Sequence, residues 1–304
     1  MELRQLRTFV AVAEHGSFTV AAQRADISQP AVSAQVQALE GELQVQLLER
    51  LPRGVRLTPA GELLHDYARR MLNLEGEARR SLAALRDAQE FTLRLGASPT
   101  IGAYVLPAVL AAFKRQHPEV RIIEEIGATH QVAEALESYA IDVGLVESAV
   151  ESDALASEAF QSDDLILAVP AGHAWASRAS VAPAELTGQP VMVREPGSGS
   201  RALVEEALRA LGIELVPFLE IGGIEAIKNA VLAGLGIAFL SRAAIQVEER
   251  QGTLVVVPVE GLRLTRSFYC LHRRQRRLAP TIRAFLELVR HAPSAGGEVQ
   301  AQPW

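Results

Sequence analysis

The sequence has one cysteine, almost no lysine and no long apolar run. Cys270 is the single cysteine among 304 residues, so no intramolecular disulfide can form, as expected in a reducing cytoplasm. No apolar stretch approaches the length that spans a bilayer, and the opening Met-Glu-Leu-Arg lacks the apolar core of a secretion signal. These absences argue against a secreted or membrane protein. We therefore expect a cytoplasmic protein with no membrane contact.

The common sequence motifs of enzymes are missing as well. No Gly-x-Ser-x-Gly, Walker loop, His-Glu-x-x-His or cysteine pair for zinc occurs, and the seven histidines show no ligand spacing. We predict no enzymatic activity, no metal and no cofactor, although a Ser-His-Asp triad assembled only on folding stays open. Cys270 lies in the strand-like run 267–271, which favours a buried, inert thiol over a redox sensor.

Composition describes a globular protein with a net negative charge. A chain of this length can form two or three compact units, and 49% hydrophobic with 22% charged residues is far from a disordered composition. The net charge of −6 argues against non-specific polyanion binding by the whole surface. Specific DNA binding needs only a local basic patch, and Arg50, Arg53 and Arg56 supply one.

Residues 17–58 carry the most informative pattern, two short amphipathic helices across a tight corner followed by a basic hairpin. Ser17 is placed to cap the first helix. Ser28 is placed to cap the second, with Pro30 in its first turn, where a missing N–H costs nothing. Ile27 is predicted to close the corner by pointing inward. The apolar positions of the two helices follow helical spacing: Phe18, Ala21, Ala22 and Ala25, then Ala31, Val32, Val36 and Leu39.

The second helix has a mainly polar outward face, formed by Gln29, Ser33, Ala34 and Gln37. Amides and hydroxyls at a helix N-terminus suit the reading of base edges in a major groove. A solvated face on an ordinary helical domain is the alternative. We predict that four residues contact base edges: Gln29, Pro30, Ser33 and Gln35. We predict phosphate contacts for Ser28, Arg50 and Arg53.

Seven motifs span the first sixty-odd residues: Leu6-Arg7-Thr8-Phe9, Gly16-Ser17-Phe18, Ala21-Ala22, Ser28-Gln29-Pro30-Ala31-Val32-Ser33, Leu39-Glu40, Leu48-Glu49-Arg50 and Leu57-Thr58-Pro59-Ala60-Gly61. Together they resemble the LysR-type transcriptional regulators. The resemblance implies a winged helix-turn-helix that binds an interrupted palindromic operator in double-stranded DNA, a homodimer or homotetramer, and contact with RNA polymerase. Ala34 stands where the family often has a basic residue, so one contact made by relatives is expected to be missing.

From Thr58 onward the sequence predicts one long helix over residues 59–89. Thr58 is the N-cap, Pro59 takes the first helical position and Glu62 lies in the first turn. The apolar residues recur at alternating spacings of three and four: Leu64, Tyr67, Met71, Leu74, Ala78, Leu82 and Leu85. So narrow a stripe is typical of a coiled-coil seam, which predicts dimerisation. A helix lying on its own domain is the alternative.

After residue 90, short apolar runs alternate with helical periods, which is typical of parallel βαβ units. Strands are predicted at 92–96, 120–126, 142–147, 165–169, 190–193, 218–221, 237–240, 254–257 and 266–271. Helices are predicted at 106–116, 131–139, 200–211, 224–233 and 280–290. We predict a DNA-binding domain over 1–58, and a two-lobed α/β effector domain over 90–293 that resembles periplasmic solute-binding proteins. Lobe I would hold 90–162 and 267–293, lobe II 163–266, and 294–304 a disordered tail.

Ligands of open parallel sheets bind beyond the carboxyl ends of the strands, where helix N-termini point. The turns 96–102 and 195–201 both follow a predicted strand and lead into a predicted helix. Their hydroxyls and free backbone N–H groups would form an anion nest. Each could equally be a capped turn. The candidate effector residues are Ser98, Pro99, Thr100, Thr129, Glu147, Glu195, Ser198, Gly199, Ser200, Gly223 and Ile224. The carboxylates of Glu147 and Glu195 would oppose an anion unless protonated or paired. They could instead accept hydrogen bonds from a hydroxylated or protonated ligand.

The run Arg-Glu-Pro-Gly-Ser-Gly-Ser-Arg at 194–201 resembles the branch of the family that regulates carbon fixation and sulfur or cysteine metabolism. This resemblance implies a small-molecule effector such as sulfite, sulfate or a phosphorylated compound. The alternative for the whole chain is a solute-binding or enzymatic α/β protein with an accessory helical domain. That alternative leaves the first 90 residues unexplained.

Overall fold

The computed structural model of the chain describes residues 1–51, 54–86, 92–274 and 278–291. The chain divides into two compact units, one of residues 1–88 with 137–140, the other of residues 89–136 with 141–304. Within the described ranges, every helix is too short or too polar to cross a membrane. The predicted tail, 294–304, lies outside the described residues.

The described part of the N-terminal unit consists of helices and one hairpin: α1 (Leu3–His15), α2 (Phe18–Ala25), α3 (Gln29–Leu43), β1 (Leu48–Arg50), β2 (Val55–Leu57) and α4 (Pro59–Arg86). Both predicted caps at the corner are confirmed: the Ser17 hydroxyl accepts from the Val20 N–H at 3.3 Å, and the Ser28 hydroxyl from the Ala31 N–H at 3.4 Å. The inward position predicted for Ile27 is wrong, since 37% of this residue is exposed.

The core at the corner is closed without Ile27. Ala21 and Ala22 of α2 pack with Val32 and Val36 of α3 and with the fully buried Phe9 of α1. Asp26 ends α2 in the left-handed conformation, with φ of 53°, so the chain turns before Ile27 can add to this cluster.

The residues of the predicted seam on α4 fall into two groups, one packed against the core of the same unit and one exposed. Leu64 and Met71 pack against the core of their own unit, and Ala68 between them is fully buried. The exposed large apolar side chains described on α4 are Leu63, Tyr67, Leu74 and Leu82. Leu64 and Met71 therefore fit the alternative of a helix that lies on its own domain, and pairing with a second copy stays a prediction. The side chain of Leu85 lies outside the described residues.

The start of α4 is locked onto the end of the preceding loop. The Thr58 hydroxyl accepts from the Gly61 N–H at 3.0 Å, as predicted for an N-cap, and donates to the Gln46 carbonyl at 2.7 Å. A Cβ on Gly61 would lie 2.0 Å from the Leu47 carbonyl oxygen. Glycine is therefore required here by the close approach of two backbone segments.

The described part of the C-terminal unit has nine strands, β3 (Thr92–Ala97), β4 (Arg121–Ile126), β5 (Val143–Val146), β6 (Leu155–Pro170), β7 (Val191–Arg194), β8 (Leu219–Ile221), β9 (Ile237–Ser241), β10 (Leu254–Val256) and β11 (Leu264–Arg273). Its α-helices are α5 (Pro99–Tyr104), α6 (Leu106–Gln116), α7 (Thr129–Glu137), α8 (Gly199–Ala210), α9 (Ile224–Leu232), α10 (Arg242–Gln251) and α11 (Pro280–Arg290). A short 3₁₀ turn covers Pro183–Leu186.

The strands form one sheet in the order β4-β3-β5-β11-β6-β9-β7-β8, and β10 pairs with β6. β3 lies parallel to β4 and β5, and β7 parallel to β8 and β9, so the predicted parallel units are confirmed in both lobes. β6 and β11 pair antiparallel over most of their length and pass from one lobe to the other.

Neither α1 nor the 3₁₀ turn was predicted from the sequence, and three further elements differ from the prediction. β6 begins at Leu155, whereas the sequence predicted a start at 165. The first half of β6 was missed because it has no apolar run. Helices α5 and α10 were not predicted, since α5 has only six residues and α10 is rich in charge. Since β6 pairs with β11 along its first half, tertiary contact rather than local pattern sets its length.

Candidate nucleic-acid interface and effector site

The N-terminus of α3 is presented as a polar surface over a buried apolar stripe. Ser28, Gln29 and Pro30 are all exposed, whereas Val32 and Leu39 on the opposite side are buried. The Ser28 cap satisfies one of the orphan N–H groups of the first turn, which fixes where the helix begins. The exposed side chains therefore project from a rigid position.

Two predicted contact residues lie further inside. Ser33 is half-buried, and the amide oxygen of half-buried Gln35 accepts a hydrogen bond from the Thr8 hydroxyl of α1 at 2.6 Å. Thr8 itself is buried. Gln35 thus joins α3 to α1 through its amide oxygen. Gln37 is exposed, as the helical pattern predicted, although it was not among the predicted DNA contacts.

The hairpin that follows α3 is tied to the helical core. Glu49 pairs with Arg56 across the two strands, and their side chains form an ion pair of 2.7 Å that neutralises this arginine locally. The Val55 N–H donates to the Gly16 carbonyl at 3.0 Å. The side chain of Arg50 and the whole of Arg53 lie outside the described residues.

The turn between α3 and the hairpin rests on one carboxylate. Oε1 of Glu40 accepts from the N–H groups of Leu47 at 2.8 Å and Leu48 at 3.1 Å. This contact gives Glu40 of the Leu39-Glu40 motif a structural role, because it sets the direction in which the hairpin leaves α3.

In lobe I, the predicted effector residues gather at the carboxyl ends of β3 and β5. Pro99 begins α5, and Thr129 begins α7, where its hydroxyl lies 3.5 Å from that of Ser148. Ser98 and Thr100 are buried, and Ser98 Oγ has no hydrogen-bond partner among the described residues. The Thr100 N–H donates to Glu147 at 3.3 Å, so the expectation of a free N–H was wrong at this residue.

A buried ion cluster joins the two lobes beside these residues. Arg266 of β11 pairs with Glu147 at the end of β5 and, at 2.9 Å, with Asp163 of β6. The Ser241 hydroxyl of β9 donates to Asp163 at 2.7 Å. Burial opposes ionisation of Glu147, but the charge of Arg266 and hydrogen bonds from Thr100 and Arg266 hold its pKa below the ordinary value. Burial raises the pKa of Asp163, although Arg266 and Ser241 oppose the shift.

In lobe II, the loop after β7 leads into α8 without a side-chain cap. Ser198 takes the N-cap position, but its hydroxyl bonds to that of Ser200 at 2.9 Å instead of to the helix backbone. Gly199 is exposed and Ser200 is buried. The first turn of α8 thus keeps N–H groups that no side chain in the described residues caps, as the anion-nest prediction requires.

The carboxylate of Glu195 is paired, which is one of the two conditions under which it would not oppose an anion. Two bonds of 2.7 and 2.8 Å connect it to the buried guanidinium of Arg194, and the Gly223 N–H donates to it at 3.3 Å. Hydrogen bonding from Arg194 lowers the pKa of Glu195 to about 2. Ile224 follows Gly223 as the buried first residue of α9. Both acidic candidates, Glu147 and Glu195, are therefore ionised and matched by an arginine.

A cavity of about 20 Å³ touches Arg194, Ser200 and Arg201. This volume holds about one water-sized group. A metabolite is larger than this cavity.

The arginines that balance these carboxylates were not predicted as site residues from the sequence. Arg194 was noted only as part of a motif, and Arg266 only as the first residue of a predicted strand. A charge at the border of an apolar run, here Arg194 and Arg266, is the signal that could have found them. Asp163 and Ser241 carry no such signal, because the contacts of Asp163 with Arg266 and of Ser241 with Asp163 form only in the folded sheet.

Cys270 lies within β11 and is buried, as predicted. Burial raises the pKa of its thiol to about 12, so the reactive thiolate is scarce at neutral pH. In the ranges that the structure describes, no group of three or more His, Cys, Asp or Glu residues could hold a metal ion.

Comparison with known proteins matches both units. Residues 3–62 match the model of the bacterial regulatory helix-turn-helix protein, lysR family, and residues 86–294 match the LysR substrate binding domain. The HTH-type transcriptional regulator CysL of Bacillus subtilis (strain 168) is 32% identical, over 88% of this chain and 89% of the relative. The RuBisCO operon transcriptional regulator of Allochromatium vinosum is 33% identical, over 95% of each chain. The structure of full-length CbnR with its target DNA is similar at a TM-score of 0.74 and 28% identity, over 96% of this chain and 100% of the other.

Proposed function

The chain belongs to the LysR family of bacterial transcriptional regulators, and from that premise we propose which residues read the operator and which bind the effector. As a member of this family the chain is a DNA-binding transcriptional regulator with an effector-binding domain, not an enzyme. This excludes the alternative of a solute-binding or enzymatic protein. The relatives also agree with the predicted branch, since one is CysL and another regulates a RuBisCO operon.

DNA reading is assigned to the exposed N-terminus of α3. The observation that carries this assignment is the capped start of α3, with Gln29 and Pro30 outward and the opposite stripe packed on α1 and α2. Gln29, Pro30 and Ser33 lie at base edges; Ser28, Arg50 and Arg53 contact phosphates. Gln35 contributes through its bond to Thr8, which orients α3, more than through a base. CbnR, solved with its target DNA, has the same fold.

Binding to a panel of operator variants, measured by fluorescence anisotropy, tests these roles. Gln29→Ala should cost about 1–3 kcal/mol, unevenly across the operators, because it removes a base contact. Arg50→Ala should weaken binding to all operators alike, and it should lower the slope of log K against log salt by about one. Gln46→Ala, an exposed glutamine outside α3, is the control. An equal, sequence-blind loss for Gln29→Ala and Arg50→Ala would refute the division of roles.

The effector is a small anion held at the start of α8. The support is the uncapped first turn of α8, with the Ser198 and Ser200 hydroxyls beside it. Because Arg194 already balances Glu195, an arriving anion meets no uncompensated carboxylate there. Lobe I adds Ser98, whose buried hydroxyl has no partner among the described residues. Pro99, Thr100, Thr129, Glu147, Gly199, Gly223 and Ile224 shape the site around these groups. Sulfite, sulfate and small phosphorylated compounds are the ligand classes proposed.

A thermal-shift screen of the full chain against sulfite, sulfate, phosphate and small phosphorylated compounds tests the site. A ligand that binds the folded state raises the melting midpoint by mass action. Ser198→Ala should reduce that rise, whereas Ser177→Ala, an exposed serine of the same lobe, should leave it unchanged. Equal rises in both variants would move the effector site elsewhere.

The remaining partners follow from the same premise. A palindromic operator calls for a two-fold protein, so α4 pairs with its copy in a homodimer, and two dimers form the homotetramer that the resemblance implies. RNA polymerase is the partner of the DNA-bound regulator. A protein that reads genomic DNA in bacteria works in the cytoplasm. Mass photometry of the full chain at low concentration, with and without operator, distinguishes dimer from tetramer.

A further inference from the structure

A second cavity lies in lobe II, where the pairing of β6 changes from one strand to another. β10 pairs with β6 from Val256 opposite Ala168, and β11 pairs with β6 from Leu264 opposite Leu165. Between these two pairings, the Val257 N–H still donates to the Leu167 carbonyl of β6, and residues 258–263 then leave β6 and return. The excursion opens a cavity of about 190 Å³ against β6.

The walls of this cavity are mostly apolar and belong to the lobe II core. Leu165 and Leu167 of β6 line it, together with Val257 and Leu264, and all four are buried in one hydrophobic cluster. Leu262 lines it from the excursion and is only half-buried. A space of this kind favours an apolar body, because filling it removes carbon surface from water without breaking hydrogen bonds.

Charge at the cavity is net positive. Arg242, the first residue of α10, lines it with an Nε that is buried and has no hydrogen-bond partner among the described residues. The nearest carboxylate to Arg242 is that of Glu249, at 3.8 Å. Arg263 also lines the cavity, is exposed, and makes no hydrogen bond or ion pair in the described structure. The one acidic lining residue, Asp164, already accepts from the Thr265 hydroxyl at 2.7 Å.

The volume limits the ligand to a compact body. An apolar cavity of about 150 Å³ accommodates a six-carbon ring such as benzene. The cavity here is slightly larger, and two arginines flank it. We propose that it is a second small-molecule site, specific for a compact carboxylate with an apolar body of about six carbons.

This site shares none of the residues proposed to hold the effector at the start of α8, although Phe239 lines both cavities. Its existence does not depend on that proposal. It does border the ion cluster that joins the lobes. Asp164 follows Asp163, Arg242 follows Ser241, and Thr265 next to Leu264 precedes Arg266. A ligand that shifts these three chain segments would also act on the cluster.

Isothermal titration of the full chain with cyclohexanecarboxylate tests the proposal. Saturable binding is expected, with neutral cyclohexylmethanol weaker by about tenfold because it lacks the charge. Sulfate, which has the charge but no apolar body, should not compete. Arg263→Gln should weaken cyclohexanecarboxylate by about tenfold, and Leu262→Trp should abolish its binding by filling the space.

Arg250→Gln is the matched control, since Arg250 lies two turns further along α10 and does not line the cavity. It should bind cyclohexanecarboxylate as the parent does. Arg263 is exposed, so its substitution stays informative even if Leu262→Trp fails to fold. The site is refuted if the parent shows no saturable heat up to about 10 mM, or if neither Arg263→Gln nor Leu262→Trp alters binding. Equal affinity for the alcohol would refute the carboxylate specificity.

Discussion

At the residue scale, several motif positions of the N-terminal unit have direct physical reasons. Glu40 is fixed because its carboxylate accepts two backbone N–H groups in the turn before the hairpin. Thr58 caps α4 and also bonds to Gln46, so one hydroxyl fixes a helix start and a loop end together. Gly61 is fixed by space, because no Cβ fits against the Leu47 carbonyl. These residues shape the N-terminal unit through contacts within it.

Gly61→Ala should destabilise the N-terminal unit by about 1–3 kcal/mol or more, because the added Cβ forces backbone segments apart. The measurement is thermal unfolding with operator binding on the same samples. Gly41→Ala is the matched control, since Gly41 lies inside α3 and a methyl group added there would have no atom within 4 Å. That variant should gain about 0.5–1 kcal/mol, as helical glycine replaced by alanine does. Equal melting of the two variants would contradict the packing argument.

Glu195 should make lobe II sensitive to acid. Its pKa is about 2 in the folded protein against an ordinary value of 4.5, because Arg194 stabilises the ionised form. The ionised group therefore stabilises the fold above about pH 4.5, and this contribution is lost as the pH falls toward 2. Glu195→Gln should flatten the fall of the melting midpoint over that window. Glu206→Gln, an exposed carboxylate of α8 with no ion pair in the described residues, should keep the parent slope.

At the element scale, α4 combines two functions on two faces. Leu64, Ala68 and Met71 face the core of the same unit, which anchors the first turns of the helix. Tyr67 and Leu74 lie on another face, where 55% of Tyr67 and 45% of Leu74 are exposed in a single chain. An exposed apolar row on a long helix is suited to pairing with a second copy.

Leu74→Arg should dissociate the oligomer, because pairing would bury an unpaired charge at a cost that two helices cannot offset. The chain itself should still fold, since Leu74 is exposed in it. Sedimentation velocity measures the assembly. Asn73→Arg is the control, because the neighbouring position points about 100° around the helix. An unchanged sedimentation coefficient for Leu74→Arg would remove this face from the interface.

At the scale of the whole molecule, the two compact units differ in what holds them together. In the described part of the N-terminal unit, an apolar core joins the helices and the hairpin. In the C-terminal unit, separate apolar clusters occupy the two lobes, and the buried Arg266 cluster lies on the strands that connect them. Because β6 and β11 are continuous through this cluster, it lies where the two lobes are connected.

Arg266→Met should destabilise the C-terminal unit by about 3–5 kcal/mol, since Glu147 and Asp163 would stay buried without their partner. Differential scanning calorimetry should show the transition of this unit at lower temperature and that of the N-terminal unit unmoved. Arg283→Met, a surface arginine of α11 that bonds to the Leu278 carbonyl, is the control. A parent-like scan for Arg266→Met would mean that the cluster contributes nothing to the fold.

The sequence by itself determined the features that depend on neighbours a few positions apart. The caps at Ser17, Ser28 and Thr58 were predicted from spacing alone, because the hydroxyl and the N–H it accepts lie within three residues. The parallel units and the family followed from local motifs in the same way. Arg194 and Glu195 are adjacent, yet their pairing was visible only as one of several possibilities.

Only the tertiary structure decided what depends on distant partners. Arg266 meets Glu147 across 119 positions and Asp163 across 103, so no local pattern could show that these carboxylates are paired. The division of α4 into a core face and an exposed face required the position of α1, and the direction of Gln35 required that of Thr8. The physical reason is the same in each example: a charge or an apolar face acquires its role from what it is buried against, and burial is a property of the folded chain.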